Sequence, residues 1–125
     1  MADQRKIVYE AIRDRFPIGY TFEQFCRDFL NWYFEYIYKD AQCIGATLSR
    51  NGFIHIAISR PYRKRWASRG EIKFLITNAM KDGKAFTTIF RNDEFRINFA
   101  KRLGFTMIED GDIQTYEVKH ENLWK

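Results

Sequence analysis

Apolar residues recur at helical spacing from the start of the chain. Ile7, Val8, Ala11 and Ile12 share one stripe and Asp3 stands where an N-cap belongs, so an amphipathic helix is predicted from Asp3 to about Arg15. Phe16-Pro17-Ile18-Gly19-Tyr20 breaks it. Thr21 followed by Gln24 has the spacing of a capping box and opens a second helix, expected to be the longest and to reach Tyr38. That stretch carries Phe22, Phe25, Cys26, Phe29, Leu30 and Trp32, then Tyr33, Phe34, Tyr36, Ile37 and Tyr38. These are too many large groups for one stripe, so cover on more than one side is expected, as core packing or as a partner-binding face.

From Cys43 the period shortens. The runs Cys-Ile-Gly-Ala-Thr-Leu and Phe-Ile-His-Ile-Ala-Ile-Ser flank Asn51-Gly52, a hairpin signal because a tight turn needs positive φ at both central residues. Helical spacing returns from Gly70 to Asp82 in Ile72, Leu75, Ile76, Ala79 and Met80, with Gly83 as the stop. A strand follows from Lys84 to Phe90. A helix is then expected from about Asp93 to Leu103, with Phe95, Phe99 and Leu103 inward and Gly104 as its end, and a last strand from about Gln114 to Val118. The expected fold is α+β: two N-terminal helices, a β-hairpin, then strand, turn, helix, strand, helix, strand. Alternation in the second half predicts a mixed sheet with at least one parallel pair, covered on both faces.

Composition fits one folded domain over residues 1–125, in which 1–40 form a helical N-terminal part. With 46% apolar and 30% charged residues, a chain of 125 residues buries roughly two thirds of its unfolded surface. There is no repeat, no low-complexity run, no membrane span and no secretory signal, so a cytoplasmic protein is expected. Cys26 and Cys43 form no CxxC and have no histidine pair beside them, which gives no metal site and no redox motif. Both are expected to pack as small buried hydrophobes.

Charge adds more once it is localised. The segment Arg60-Pro-Tyr-Arg-Lys-Arg-Trp-Ala-Ser-Arg69 holds five basic residues and no acid, and the remaining 16 basic residues balance 16 acidic ones, so the whole net charge of +5 sits in this window. It lies between a predicted strand and a predicted helix. A helix start offers unpaired N–H groups and the positive end of its dipole, so a basic strand-to-helix turn can receive an anion. Close approach to phosphate oxygens usually also needs glycine, which this turn lacks.

The stretch Ile-His-Ile-Ala-Ile-Ser-Arg-Pro-Tyr-Arg-Lys-Arg-Trp-Ala-Ser-Arg-Gly-Glu-Ile-Lys-Phe-Leu-Ile-Thr-Asn-Ala-Met resembles the signature of the GCN5-related N-acetyltransferases (GNAT). In that family a strand, a turn of the form Arg/Gln-x-x-Gly-x-Gly/Ala and a helix hold the pyrophosphate of coenzyme A. Arg63 falls at the Arg/Gln position, and the resemblance implies Arg63, Lys64, Arg65, Trp66, Ala67 and Ser68 as the cofactor-binding turn. Downstream, the strand Lys84–Phe90, the next helix, Lys-Arg-Leu-Gly-Phe at 101–105 and the final strand are similar to the family's ending, so the likeness spans about residues 43–118.

The turn departs from the family pattern in having Trp66 where glycine belongs and Ser68 at the glycine or alanine position. Where many members carry a tyrosine that protonates the leaving thiolate, four residues before the Leu-Gly-Phe glycine, this chain has Ala100. His55 and Tyr116 are the candidate catalytic groups, with Tyr62 as a further phenol. Small basic chains of this form also resemble head-assembly accessory proteins of P22-like tailed bacteriophages.

Three functions are therefore expected in competition. The first is a GNAT-like protein that has lost or altered the chemistry and acts in phage head assembly, in the host cytoplasm, through virion or capsid proteins or DNA and without a cofactor. The second is an N-acetyltransferase using acetyl-CoA. The third is nucleic-acid binding through Arg60, Arg63, Lys64, Arg65 and Arg69 with Tyr62 and Trp66 as stacking groups. A monomer or small homo-oligomer suits each.

Overall fold

Asp3 caps the first helix through Oδ1, which accepts the Arg5 amide at 3.0 Å, and α1 spans Gln4–Ile12 before a 3₁₀ turn, Arg13–Arg15, ends it. The computed structural model describes residues 3–64 and 66–124. Thr21 opens α2 with a complete capping box: Thr21 Oγ1 accepts the Gln24 amide at 3.2 Å and Gln24 Oε1 accepts the Thr21 amide at 2.7 Å. The helix is short, however. α2 covers only Phe22–Asp28, and Tyr33–Lys39 is strand β1. The reason is composition: Tyr-Phe-Glu-Tyr-Ile-Tyr is a run of strand formers, and it pairs antiparallel with β2, Gln42–Arg50, in a register that sets Phe34 opposite Leu48. Residues 1–40 are thus not wholly helical, and the surplus of aromatics belongs to a helix and a strand rather than to one helix.

The Asn51-Gly52 turn joins β2 to β3, Phe53–Ile58, with φ of 52° and 88° at its two residues, as a two-residue hairpin requires. β3 lies beside β4, Lys84–Phe90, in a parallel pair through Phe53 and Phe86. A parallel pair needs a crossover, and here it contains the basic segment, a second 3₁₀ turn at Arg60–Tyr62 and α3, Arg69–Ala79. α3 stops before Gly83, whose φ of 76° serves instead the tight turn in which Lys81 and Lys84 exchange main-chain hydrogen bonds. α4 spans Glu94–Leu103, capped by Asp93 and closed by left-handed Gly104. The pattern did not reveal β5, Thr106–Glu109, which pairs with β6, Ile113–Lys119, at the sheet edge. The sheet is mixed, in the order β1-β2-β3-β4-β6-β5.

The chain forms two compact units, Met1–Arg50 with Ile56–Ser68, and Asn51–His55 with Arg69–Lys125. The first is built on Val8, Tyr9, Ala11, Ile12, Phe25, Ala46, Leu48 and Ala57, ringed by partly buried aromatics. Phe25 is its centre: fully buried, it meets the rings of Tyr9, Phe16, Phe29 and Phe34, and burial of such a ring contributes about 2–3 kcal/mol. In the second unit Ile72, Ile76, Ala85, Ile89, Ala100, Leu103, Phe105, Tyr116 and Val118 are buried. Phe95, expected inward, is exposed, and Cys26 and Cys43 are free and only half-buried rather than core residues.

Candidate functional site

The turn after β3 is held by its own main chain. The Ser59 amide donates to the Ile44 carbonyl at 2.8 Å, and within the 3₁₀ turn the amides of Tyr62 and Arg63 donate to the carbonyls of Ser59 and Arg60 at 2.9 and 3.3 Å. Pro61 presets the φ of that turn. Arg63 then folds back on the first unit. Its Nε donates to the Ile58 carbonyl at 3.1 Å and its Nη2 to the Ala11 carbonyl at 2.8 Å. Ala11 lies in the last turn of α1, where carbonyls lack helical partners and the dipole favours a cation, so one guanidinium closes α1 and fastens the basic turn to it. From the neighbouring 3₁₀ turn Arg15 Nη2 reaches the Ile56 carbonyl in a long contact of 3.5 Å.

Around Arg63 the other predicted residues fall into distinct settings. Arg60 and Lys64 are exposed, and neither forms an ion pair with a described residue. Tyr62, Trp66 and Ala67 are half-buried, and Ser68 is exposed. Arg65 lies outside the described residues. In the second unit Arg69 opens α3 with its guanidinium 4.6 Å from the Trp124 ring centroid, a cation–π contact.

Of the candidate catalytic groups, His55 is half-buried on β3 and already has an interaction partner. Tyr116 is 2% exposed on β6 and starts a polar chain: its hydroxyl donates to Gln114 Oε1 at 2.7 Å, Gln114 Nε2 to Asp110 Oδ1 at 2.9 Å, and Arg91 Nη2 to Asp110 Oδ2 at 3.1 Å. Burial, with Asp110 as a second cause, pushes the Tyr116 phenol above its ordinary range, while hydrogen bonds from Gln114 and the Gly111 amide pull the Asp110 carboxyl below its own. Gln114 was legible in principle, since alternation along β6 places it on the buried face with Tyr116 and Val118. Ala100 is buried in α4. Among the described residues no group of three or more His, Cys, Asp or Glu is placed to hold a metal, and no helix is long and apolar enough to cross a membrane.

Solved structures share this architecture. The NatC complex bound to Gag peptide and CoA matches with a TM-score of 0.66 at 15% identity, over 95% of this chain and 92% of that one. An acetyltransferase of the GNAT family from Staphylococcus aureus Mu50 matches with a TM-score of 0.61 at 13% identity, over 94% and 90% of the two chains. The PaiA N-acetyltransferase from Thermoplasma acidophilum in complex with coenzyme A gives 0.62 at 13% identity, over 93% and 87%. The fold is the GNAT fold. No family model matches the sequence, and no curated protein does. At such identities the likeness is one of fold, and it confirms the mixed sheet that the sequence pattern predicts; the GNAT fold alone leaves the chemistry to be argued from the residues.

Proposed function

We propose that this GNAT-fold protein acts by binding rather than by acetyl transfer. The observation that carries the reading is the placement of Arg63. At the position that opens the family's pyrophosphate turn, its guanidinium is engaged by the carbonyls of Ala11 and Ile58. The half-buried indole of Trp66 stands where the turn needs glycine, and the amides of Tyr62 and Arg63 already donate within the turn. These residues do not fit a coenzyme A pyrophosphate. Ala100, at the place of the family's proton-donating tyrosine, is buried, and the Tyr116 hydroxyl already donates to Gln114. Virion or capsid proteins, or DNA, are the partners this reading takes from the sequence resemblance, with phage head assembly as the setting.

The test is calorimetric titration of the protein with acetyl-CoA and with free coenzyme A. No saturable heat at millimolar ligand is the expected result. Micromolar binding that a Lys64→Ala, Arg65→Ala double variant loses would overturn it. It would establish the second reading, an acetyl-CoA-dependent N-acetyltransferase, which draws its support from the coenzyme A present in two of the similar structures.

A further inference from the structure

The two 3₁₀ turns of the first unit are anchored to the same pair of elements. Arg63, just after the second turn, reaches back to the end of α1 and to β3, and Arg15, in the first turn, reaches β3 two residues earlier. Arg13 and Arg15, 45 positions or more upstream of the basic segment, thus share one compact unit with Arg60, Arg63 and Lys64. Arg13 is exposed and rests its guanidinium 5.9 Å from the Tyr9 ring centroid; Arg60 and Lys64 are exposed as well. None of the three makes an ion pair with a described residue, and Asp14 is the one acid in either turn. Charge is partitioned accordingly: the first unit has eleven basic and seven acidic residues, a net +4, and the second has ten and nine, a net +1.

We infer that Arg13, Arg60 and Lys64 form a face that binds the phosphate backbone of nucleic acid, with Arg63 as the internal tie that holds the two turns together. This rests on the reading of the protein as a binder. Exposed cations with no ion pair to a described acid leave their counterions to be displaced by phosphates, which supplies sequence-independent affinity. Tyr62 and Trp66, interleaved with the cations, favour nucleic acid over an acidic protein surface, because aromatic and guanidinium planes suit bases and phosphates together.

The experiment is fluorescence anisotropy with labelled single-stranded and duplex oligonucleotides across a salt series, using the full chain and the variants Arg13→Ala, Arg60→Ala and Lys64→Ala. Binding should weaken steeply with salt, and each variant should lower the slope of log K against log salt by about one, whereas Lys101→Ala in the second unit should leave it unchanged. Absence of binding at low salt would overturn the inference, as would a slope that Arg13→Ala does not move. Polyglutamate competing with the oligonucleotide charge for charge would also overturn it, in favour of an acidic protein partner. Coenzyme A titration of the same samples separates this inference from the binding reading: saturable coenzyme A uptake sinks the latter and leaves the anisotropy result standing.

Discussion

Arg63 Nη2 donates to the Ala11 carbonyl at 2.8 Å across 52 residues of sequence, and through this bond the basic turn becomes part of the capping of α1. The same guanidinium also holds the Ile58 carbonyl. Removing it in Arg63→Met leaves both carbonyls without their charged donor. Hydrogen bonds from charged groups contribute about 1.5–3 kcal/mol when buried, and for a half-buried side chain a total loss of about 2 kcal/mol is expected, a fall in Tm of roughly 6–10 °C. Arg63→Lys should recover only part of this, because an ammonium lacks the planar fork that reaches two carbonyls. A lysine variant as stable as the parent would mean that charge at the helix end, not the fork, is what matters.

Asp93 does two jobs at the start of α4. Its Oδ1 accepts the Arg96 amide at 3.2 Å, and its Oδ2 lies 2.6 Å from Arg96 Nη1 in an ion pair whose side chains are 17% and 20% exposed. Asp93→Ala removes cap and pair together and should cost about 1–2 kcal/mol in urea unfolding. Asp93→Asn keeps the cap acceptor and should cost less than half of that. Equal losses would assign the stability to the ion pair.

What the sequence made legible follows from the range of the interactions concerned. Asp3, Thr21 with Gln24, Asn51-Gly52 and Gly104 act within a few residues of themselves, and each does in the structure what its local chemistry predicts. β1 was hidden because Tyr33, Phe34, Tyr36, Ile37 and Tyr38 satisfy helical and strand periods alike, and only pairing with β2 decides between them. β5 was hidden because all four of its residues are exposed, so no buried face stamps a period on them. At the candidate site the basic window stood out, but not which arginine turns inward, since the Ala11 carbonyl that captures Arg63 is distant in sequence.

Gly45 permits a close approach between β2 and β3. A Cβ at this position would lie 2.0 Å from the Ala57 carbonyl oxygen, which is main chain and cannot move without breaking the hairpin. Gly45→Ala should therefore cost about 3 kcal/mol or more. Gly83 has open space around it and a φ of 76°, so Gly83→Ala meets only backbone strain, about 1 kcal/mol. Thermal melts of the two variants side by side test the contrast, and a Gly45→Ala protein melting near the parent would refute the close approach.

Three of the seven tyrosines, Tyr20, Tyr36 and Tyr116, have phenols raised above their ordinary range, so stability should fall at alkaline pH. Burial raises the phenols of Tyr20, Tyr36 and Tyr116, and at Tyr20 a hydrogen bond to Asp28 adds to it. A raised folded value favours the neutral phenol, while the unfolded chain ionises near its ordinary value of 10.0. The stability these groups contribute is therefore complete below about pH 10 and is lost as pH rises through their folded values. Ionisation of Tyr20, Tyr36 and Tyr116 should accordingly coincide with loss of far-ultraviolet circular dichroism. Tyr20→Phe should make the fall in stability above pH 10 shallower. If all the tyrosines ionise together near pH 10 while the dichroism persists, burial does not govern these phenols.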